Sequence, residues 1–152
     1  MSSEVDTNTH FSPTVQLTEA AAETAVRAAQ EVAAKNNWKV TIAITDAGGS
    51  PLLVKRCDGA FPASFDIALG KAKTACHFYK CTGQLEDAVN VAGGSSRTAL
   101  LSSSFILMRG GVPIFIDGFC VGAVGVSGVK PDEDEKIALV AVDAVNSIPS
   151  RL

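Results

Sequence analysis

The sequence predicts an α+β domain: a single antiparallel β-sheet flanked by helices, in the order α-β-β-α-α-β-β-α. Three observations carry that expectation. Two β-rich stretches each fold back on a turn signal, Ala47-Gly48-Gly49-Ser50-Pro51 in the first and Asp117-Gly118 in the second, so the strands come as local hairpins. Alanine-rich segments with apolar residues three and four apart surround them, which is the helical period. No alternation of single strands and helices of the sort that builds parallel crossovers is present. With 152 residues the chain is one domain long, read as a loose arm over 1–16 and a domain over 17–152.

The first helix opens at Leu17-Thr18-Glu19, with Thr18 as N-cap and Glu19 at the positive end of the dipole. Leu17, Ala20, Ala21, Thr24, Ala28 and Val32 form its expected apolar face, and Asn36-Asn37 stops it. Trp38 to Thr45 is a strand by its β-branched content, and Leu52 to Arg56 is its hairpin partner. From Pro62 a second helix presents Phe65, Ala68, Leu69, Ala72, Ala75, Cys76 and Tyr79 to one side and ends at Cys81-Thr82-Gly83. A short helix over about Leu85 to Val91 follows, and an irregular stretch from Gly93 reaches Gly110-Gly111. Val112 to Ile116 and Phe119 to Val126 make the second hairpin, whose Asp-Gly turn suits the positive φ angles of type I′. Pro131 starts the last helix, with Asp132 to Glu135 against its positive end and Ile137, Val140, Ala141, Ala144 and Ile148 on one face.

Composition narrows the function. Thirteen basic against sixteen acidic side chains give a net charge of −3, without the basic excess of a nucleic-acid binder. Four cysteines without a C-x-x-C pair, a polar and partly acidic start and no long apolar run favour reduced thiols, a cytoplasmic setting and no membrane partner. There is no G-x-S-x-G elbow, H-E-x-x-H or Walker loop. Gly122-x-x-Gly125-x-x-Gly128 lies mainly inside a predicted strand, so close backbone packing or a strand kink is its expected use.

The remaining polar residues supply site candidates. His77 shares a helical side with Asp66 and Lys73 and is the metal-ligand candidate, as an axial donor to haem iron, against the commoner role of a surface histidine. Lys71 and Thr74 flank the apolar face of the same helix and are candidates for an anionic ligand; the ordinary alternative for Lys71 is a snorkelling surface lysine. Met108, Arg109, Gly110 and Gly111 form the second ligand-binding group, since paired glycines let backbone amides approach a ligand while Arg109 offers a carboxylate fork. Lys71 and Arg109 are also the catalytic candidates, with Arg109 expected to matter more for affinity. Asp46, Asp58 and Asp117 are expected to organise turns.

The runs Ile44 to Gly49, Asp66 to Ala75, Gly110 to Ile114, Asp117-Gly118, Val121 to Gly128 and Pro131 to Glu135 resemble the GlcG/HbpS-like family, the haem-binding and PduO C-terminal type of domain. The likeness runs in family order from about Leu17 to Ile148. It implies an antiparallel sheet flanked by helices, oligomers built on dimers, and a pocket that takes haem in some members. An intracellular small-molecule-binding domain, its ligand haem or a small organic acid, is therefore expected, self-associating into an even-numbered homo-oligomer. The alternative is a cofactor-free isomerase, lyase or cyclase acting on a small oxygenated or aromatic metabolite. If haem binds, the second helix and the Ser95 to Gly111 segment should border it, with Phe105 to Met108 over the porphyrin.

Overall fold

The computed structural model describes residues 10–90 and 104–149. The elements follow the expected order: α1 (Glu19–Lys35), β1 (Thr41–Asp46), β2 (Pro51–Arg56), α2 (Ser64–Phe78), α3 (Thr82–Val89), β3 (Gly111–Ile116), β4 (Phe119–Ser127) and α4 (Pro131–Asn146). All four strands form one antiparallel sheet in the order β2-β1-β4-β3, so β1 and β4, far apart in sequence, become the central pair.

The caps and turns behave as local chemistry dictates. Thr18 accepts a hydrogen bond from Ala21 N at 3.3 Å, with Glu19 in the first turn and Lys35 in the last. Asp46 Oδ1 accepts from Gly48 N and Ser50 N, both at 2.9 Å, and so shapes the β1–β2 turn. Asp117 and Gly118 both take positive φ, 49° and 81°, as the tight hairpin requires.

The sheet separates two cores. Ile42, Ile44, Val112, Ile114, Val124 and Val126 face α1 and α4 in the larger one. On the other face Ala43 and Ala123 meet Ala68, Ala72, Ala75 and Cys76 of α2. This second interface is built from small residues so that helix and sheet can touch. A Cβ on Gly125 would run into the backbone of Ala68 and Ala72, and one on Gly122 into Thr45 O. Gly122 and Gly125 of β4, with Gly128 just past its end against Lys39 O, thus serve close packing, as expected. Ile114 pairs with Gly122 and Phe115 with Cys120, so Val121 is a bulge residue without a partner and β4 shifts phase there.

Several expected faces need correction. On α1 the buried residues are Ala22, Ala25, Val26, Ala29 and Ala33, while Ala20 is exposed. An alanine-rich helix carries more than one stripe compatible with a 3.6-residue period, and the sheet selects between them. On α4, Ala138, Val142 and Val145 are buried, and Val140 and Ile148 stand in solvent. Phe65 and Tyr79 of the expected α2 face are exposed, because the close approach at Gly125 leaves no room for large rings between helix and sheet. The second helix ends at Phe78, with Tyr79 left-handed at its C-cap (φ 54°). Cys81-Thr82-Gly83 therefore begins α3 and does not close α2, with Gln84 Oε1 accepting from Cys81 N at 3.1 Å. Val91, the expected end of that short helix, lies outside the described residues.

Candidate functional site

Lys71 projects from α2 away from water and is fully buried. Its Nζ donates to Asp134 Oδ2 and to Val126 O, each at 2.9 Å. Asp134 belongs to α4 on the opposite side of the sheet, so the ion pair joins the two outer layers around the end of β4. The other carboxylate oxygen accepts from Val129 N at 3.2 Å. Gly110 makes the passage: a Cβ there would stand 2.8 Å from Lys71 Nζ and 2.9 Å from Asp134 Cβ. Burial lowers the Lys71 pKa against the pull of Asp134, and burial raises that of Asp134 to about 6, more than the lysine restores. The snorkelling surface lysine envisaged from sequence is thus a buried interlayer tie.

Gly110 and Gly111 likewise serve packing. Gly110 O accepts from Val126 N at 2.8 Å, and Gly111 N donates to Thr82 Oγ1 at 2.8 Å. A Cβ on Gly111 would strike Lys71 O. The Gly111 amide expected to approach a ligand is instead bonded to Thr82.

Arg109 follows the same logic at the surface. Its backbone N donates to Glu86 Oε2 at 2.7 Å and its Nη2 to Asp87 Oδ1 at 2.6 Å, while Glu135 Oε1 lies 3.8 Å from Nη1. Three protein carboxylates already surround the fork intended for a ligand. Only Asp87 is largely exposed, at 68%, and would exchange readily with water or a solute anion.

Thr74 is buried, donates to Gly70 O at 2.7 Å and accepts from Ile106 N at 2.9 Å. It anchors the segment before β3 onto α2, where Ile106 fills the gap above Gly70 and Phe105 sits edge-on to Phe78 at 4.9 Å. Leu107 is buried and Met108 is half exposed. Most of this apolar run is therefore spent on α2, and residues 95–103 lie outside the described part. His77 is exposed and its Nε2 lies 2.9 Å from Gly48 O, which makes Nε2 the protonated nitrogen. Among the described residues no group of three or more His, Cys, Asp or Glu side chains stands together to hold a metal ion.

Surface clefts remain. One of about 310 Å³ lies between the Thr14 to Leu17 segment and the β1–β2 turn. Another, about 410 Å³, is lined by Tyr79, Phe115, Gly118, Phe119 and Cys120, where the end of α2 meets the β3–β4 hairpin. Neither is lined by Lys71 or Arg109. Phe119 is 66% and Tyr79 65% exposed, and Phe115 is partly so. Three aromatic rings thus surround one concavity of this surface. Sequence periodicity assigned Tyr79 to the core and did not single out Phe115, Phe119 or Cys120. The one available signal was phenylalanine on both sides of the Asp117-Gly118 turn, where polar residues are usual.

Fold and surface together define a class: single-sheet α+β domains with helices on both faces and open clefts at the hairpin ends. Within that class the chain belongs to the HbpS-like family, whose profile, described as "Haem degrading protein HbpS-like", matches residues 17–143. Protein GlcG of Escherichia coli K12 is 40% identical over 114 residues, covering 74% of this chain and 82% of GlcG. The crystal structure of Klebsiella pneumoniae protein ORFY superposes with a TM-score of 0.84 at 34% identity, covering 93% of this chain and 99% of ORFY. The PduOC:heme complex superposes with a TM-score of 0.79 at 30% identity, covering 87% and 96% of the two chains. No described helix is long and apolar enough to cross a membrane.

Proposed function

We propose that this domain, folding over residues 17–152 behind an arm at 1–16, is a cytoplasmic binder of haem or a small organic acid. The observation that carries the reading is the aromatic cleft of Tyr79, Phe115 and Phe119. Exposed rings of this kind cover a flat conjugated face, and the haem complex of the similar PduOC supports haem as that ligand. The residues present fit the group. Tyr79, in the cleft wall, offers a phenol, an ordinary donor to haem iron; His77, two positions earlier, is bonded to Gly48 O of the β1–β2 turn and does not line the cleft, and its imidazole is the second candidate donor. Bound there, haem would supply redox-active iron. The chain's own part is to stack on the porphyrin, exclude water from one face and place a donor beside it. Met108 and Arg109 are the accessible members of the second ligand group, and an acidic ligand would compete with Asp87 for the guanidinium. Lys71, Thr74, Gly110 and Gly111 act on the ligand only by holding that segment in place.

A haemin titration followed by Soret absorbance tests this. Saturable binding is expected, weakened roughly tenfold by Phe119→Ala, on the scale of a lost aromatic contact of ~1.5 kcal/mol. His77→Ala and Tyr79→Phe should separate the donors by their spectra. Haemin uptake that is unsaturable, or unchanged in Phe119→Ala, would remove haem from this cleft.

A further inference from the structure

At the end of β1 the sheet departs from regular pairing on both sides. Ile44 pairs with Leu53 and Thr45 with Pro51, so Leu52 is an extra residue in β2, as Val121 is in β4. The two bulges flank Asp46, the last residue of β1, and Leu52, Asp46 and Val121 all line the cleft of about 310 Å³ that the Thr14 to Leu17 segment bounds on its other side. Bulges re-aim side chains and are over-represented next to active sites. Here they bring two aliphatic side chains and one carboxylate to the same cleft.

Asp46 is held in place by one half of its carboxylate. Its Oδ1 accepts from Gly48 N and Ser50 N, its backbone N donates to Ser50 O at 2.9 Å and its backbone O accepts from Gly49 N at 3.1 Å. Oδ2 bonds no described residue, and no described lysine or arginine pairs with the carboxylate. From α2, His77 Nε2 donates to Gly48 O at 2.9 Å and ties down the same turn. The wall is thus fixed and presents one free acceptor oxygen. Asp46 is the one charged residue among those described in the lining; Val15, Leu17, Leu52 and Val121 are aliphatic, and Thr14 and Gln16 are polar and neutral.

We propose that this cleft binds a small aliphatic primary ammonium ion, with its charged head on Asp46 Oδ2 and its hydrocarbon chain against Val15, Leu17, Leu52 and Val121. A primary ammonium carries three N–H donors and no acceptor. Asp46 takes one of them in a charge-assisted bond, and the Thr14 hydroxyl and Gln16 amide oxygen of the facing segment are the further acceptors in the lining. An organic anion would meet a carboxylate and no cation, and an alcohol would lack the matching charge. The volume lies at the small end of ligand sites, which keeps the chain to a few carbons. No aromatic side chain is among the described lining residues, so a flat conjugated ligand gains no stacking here. The site is separate from the aromatic cleft, and the inference does not depend on haem.

The test is a calorimetric titration of the full chain with n-butylammonium chloride, n-butanol and sodium butyrate in turn. Saturable binding of one butylammonium per chain is expected, with butanol roughly tenfold weaker, the scale of a hydrogen bond to a charged group, and butyrate not bound. Asp46→Asn keeps an Oδ1 acceptor for the two turn amides while removing the charge, and should weaken butylammonium by about tenfold. Leu52→Phe, at a position 39% exposed, fills the cleft with a ring and should abolish binding with unchanged circular dichroism, so it carries the result even if Asp46→Asn fails to fold. No saturable butylammonium binding by the wild type, binding as tight in either variant, or butanol or butyrate held as tightly as the amine would overturn the site.

Discussion

Asp134 and Lys71 stabilise the fold only as a pair. Lys71→Ala would leave a buried carboxylate without its partner, a loss of about 3–5 kcal/mol for pairs of this kind, read as a lower urea midpoint. Replacing both by apolar residues of similar size, Lys71→Met with Asp134→Leu, should recover most of that. A double variant as unstable as the single one would contradict the coupling. The pH dependence has a definite sign. Because the Asp134 pKa is raised to about 6 in the fold, from an ordinary carboxylate value of 3.8, the native state binds its proton more tightly than the unfolded chain. Its contribution is fully present below the unfolded value and is lost as pH rises through about 6. Asp134→Asn should therefore flatten the change in urea midpoint between acid and neutral pH; an unchanged slope would assign it to other groups. Arg109→Ala, at the surface, should leave the midpoint nearly unchanged while weakening an acidic ligand, with calorimetry as the check. The sequence expectation that Arg109 outweighs Lys71 concerns binding; for stability the order should reverse.

Elements register substitutions through their spacing. Gly125→Ala puts a methyl group into the backbone of Ala68 and Ala72 on α2, and overpacking of a tight interface costs about 1–3 kcal/mol. The α2 face should loosen, which hydrogen exchange of α2 amides would show as lost protection. Protection equal to wild type would mean that helix and sheet separate without penalty. The helices, turns and caps were legible in the sequence because caps, Asp-Gly turns and periodicity act within a few residues. Thr18, Asn36, the Asp117-Gly118 turn and the Pro131 helix start stand where the sequence placed them. Helix faces were less legible. In α1 and α2 the small residues occur on several sides, and the choice belongs to the sheet they meet.

For the molecule as a whole, the expected even-numbered homo-oligomer is a proposal with a surface to support it. Leu139 and Val140 are exposed on α4, as are Phe115 and Phe119 at the hairpin. Apolar side chains gathered at such places mark association or ligand sites. Light scattering at micromolar concentration should give an even multiple of the chain mass, and a monomer there would exclude it. Leu139→Glu and Phe119→Ala, run separately, would tell which surface is responsible.

By itself the sequence determined the α+β class, the element order, the two hairpins and the family, since all of these follow from local pattern and from motifs in chain order. It also marked Lys71, Thr74, Arg109, Gly110 and Gly111 as special without showing why. Only the tertiary structure decided that Lys71 meets a carboxylate 63 residues away, that Thr74 and the glycines hold segments together, and that the aromatic rings gather around one cleft. The physical reason is distance along the chain. A charge or ring in sequence has no partner until β1 and β4 pair and the helices close over the two faces of the sheet. Burial and partnership, which set the chemistry of each side chain, arise at that step.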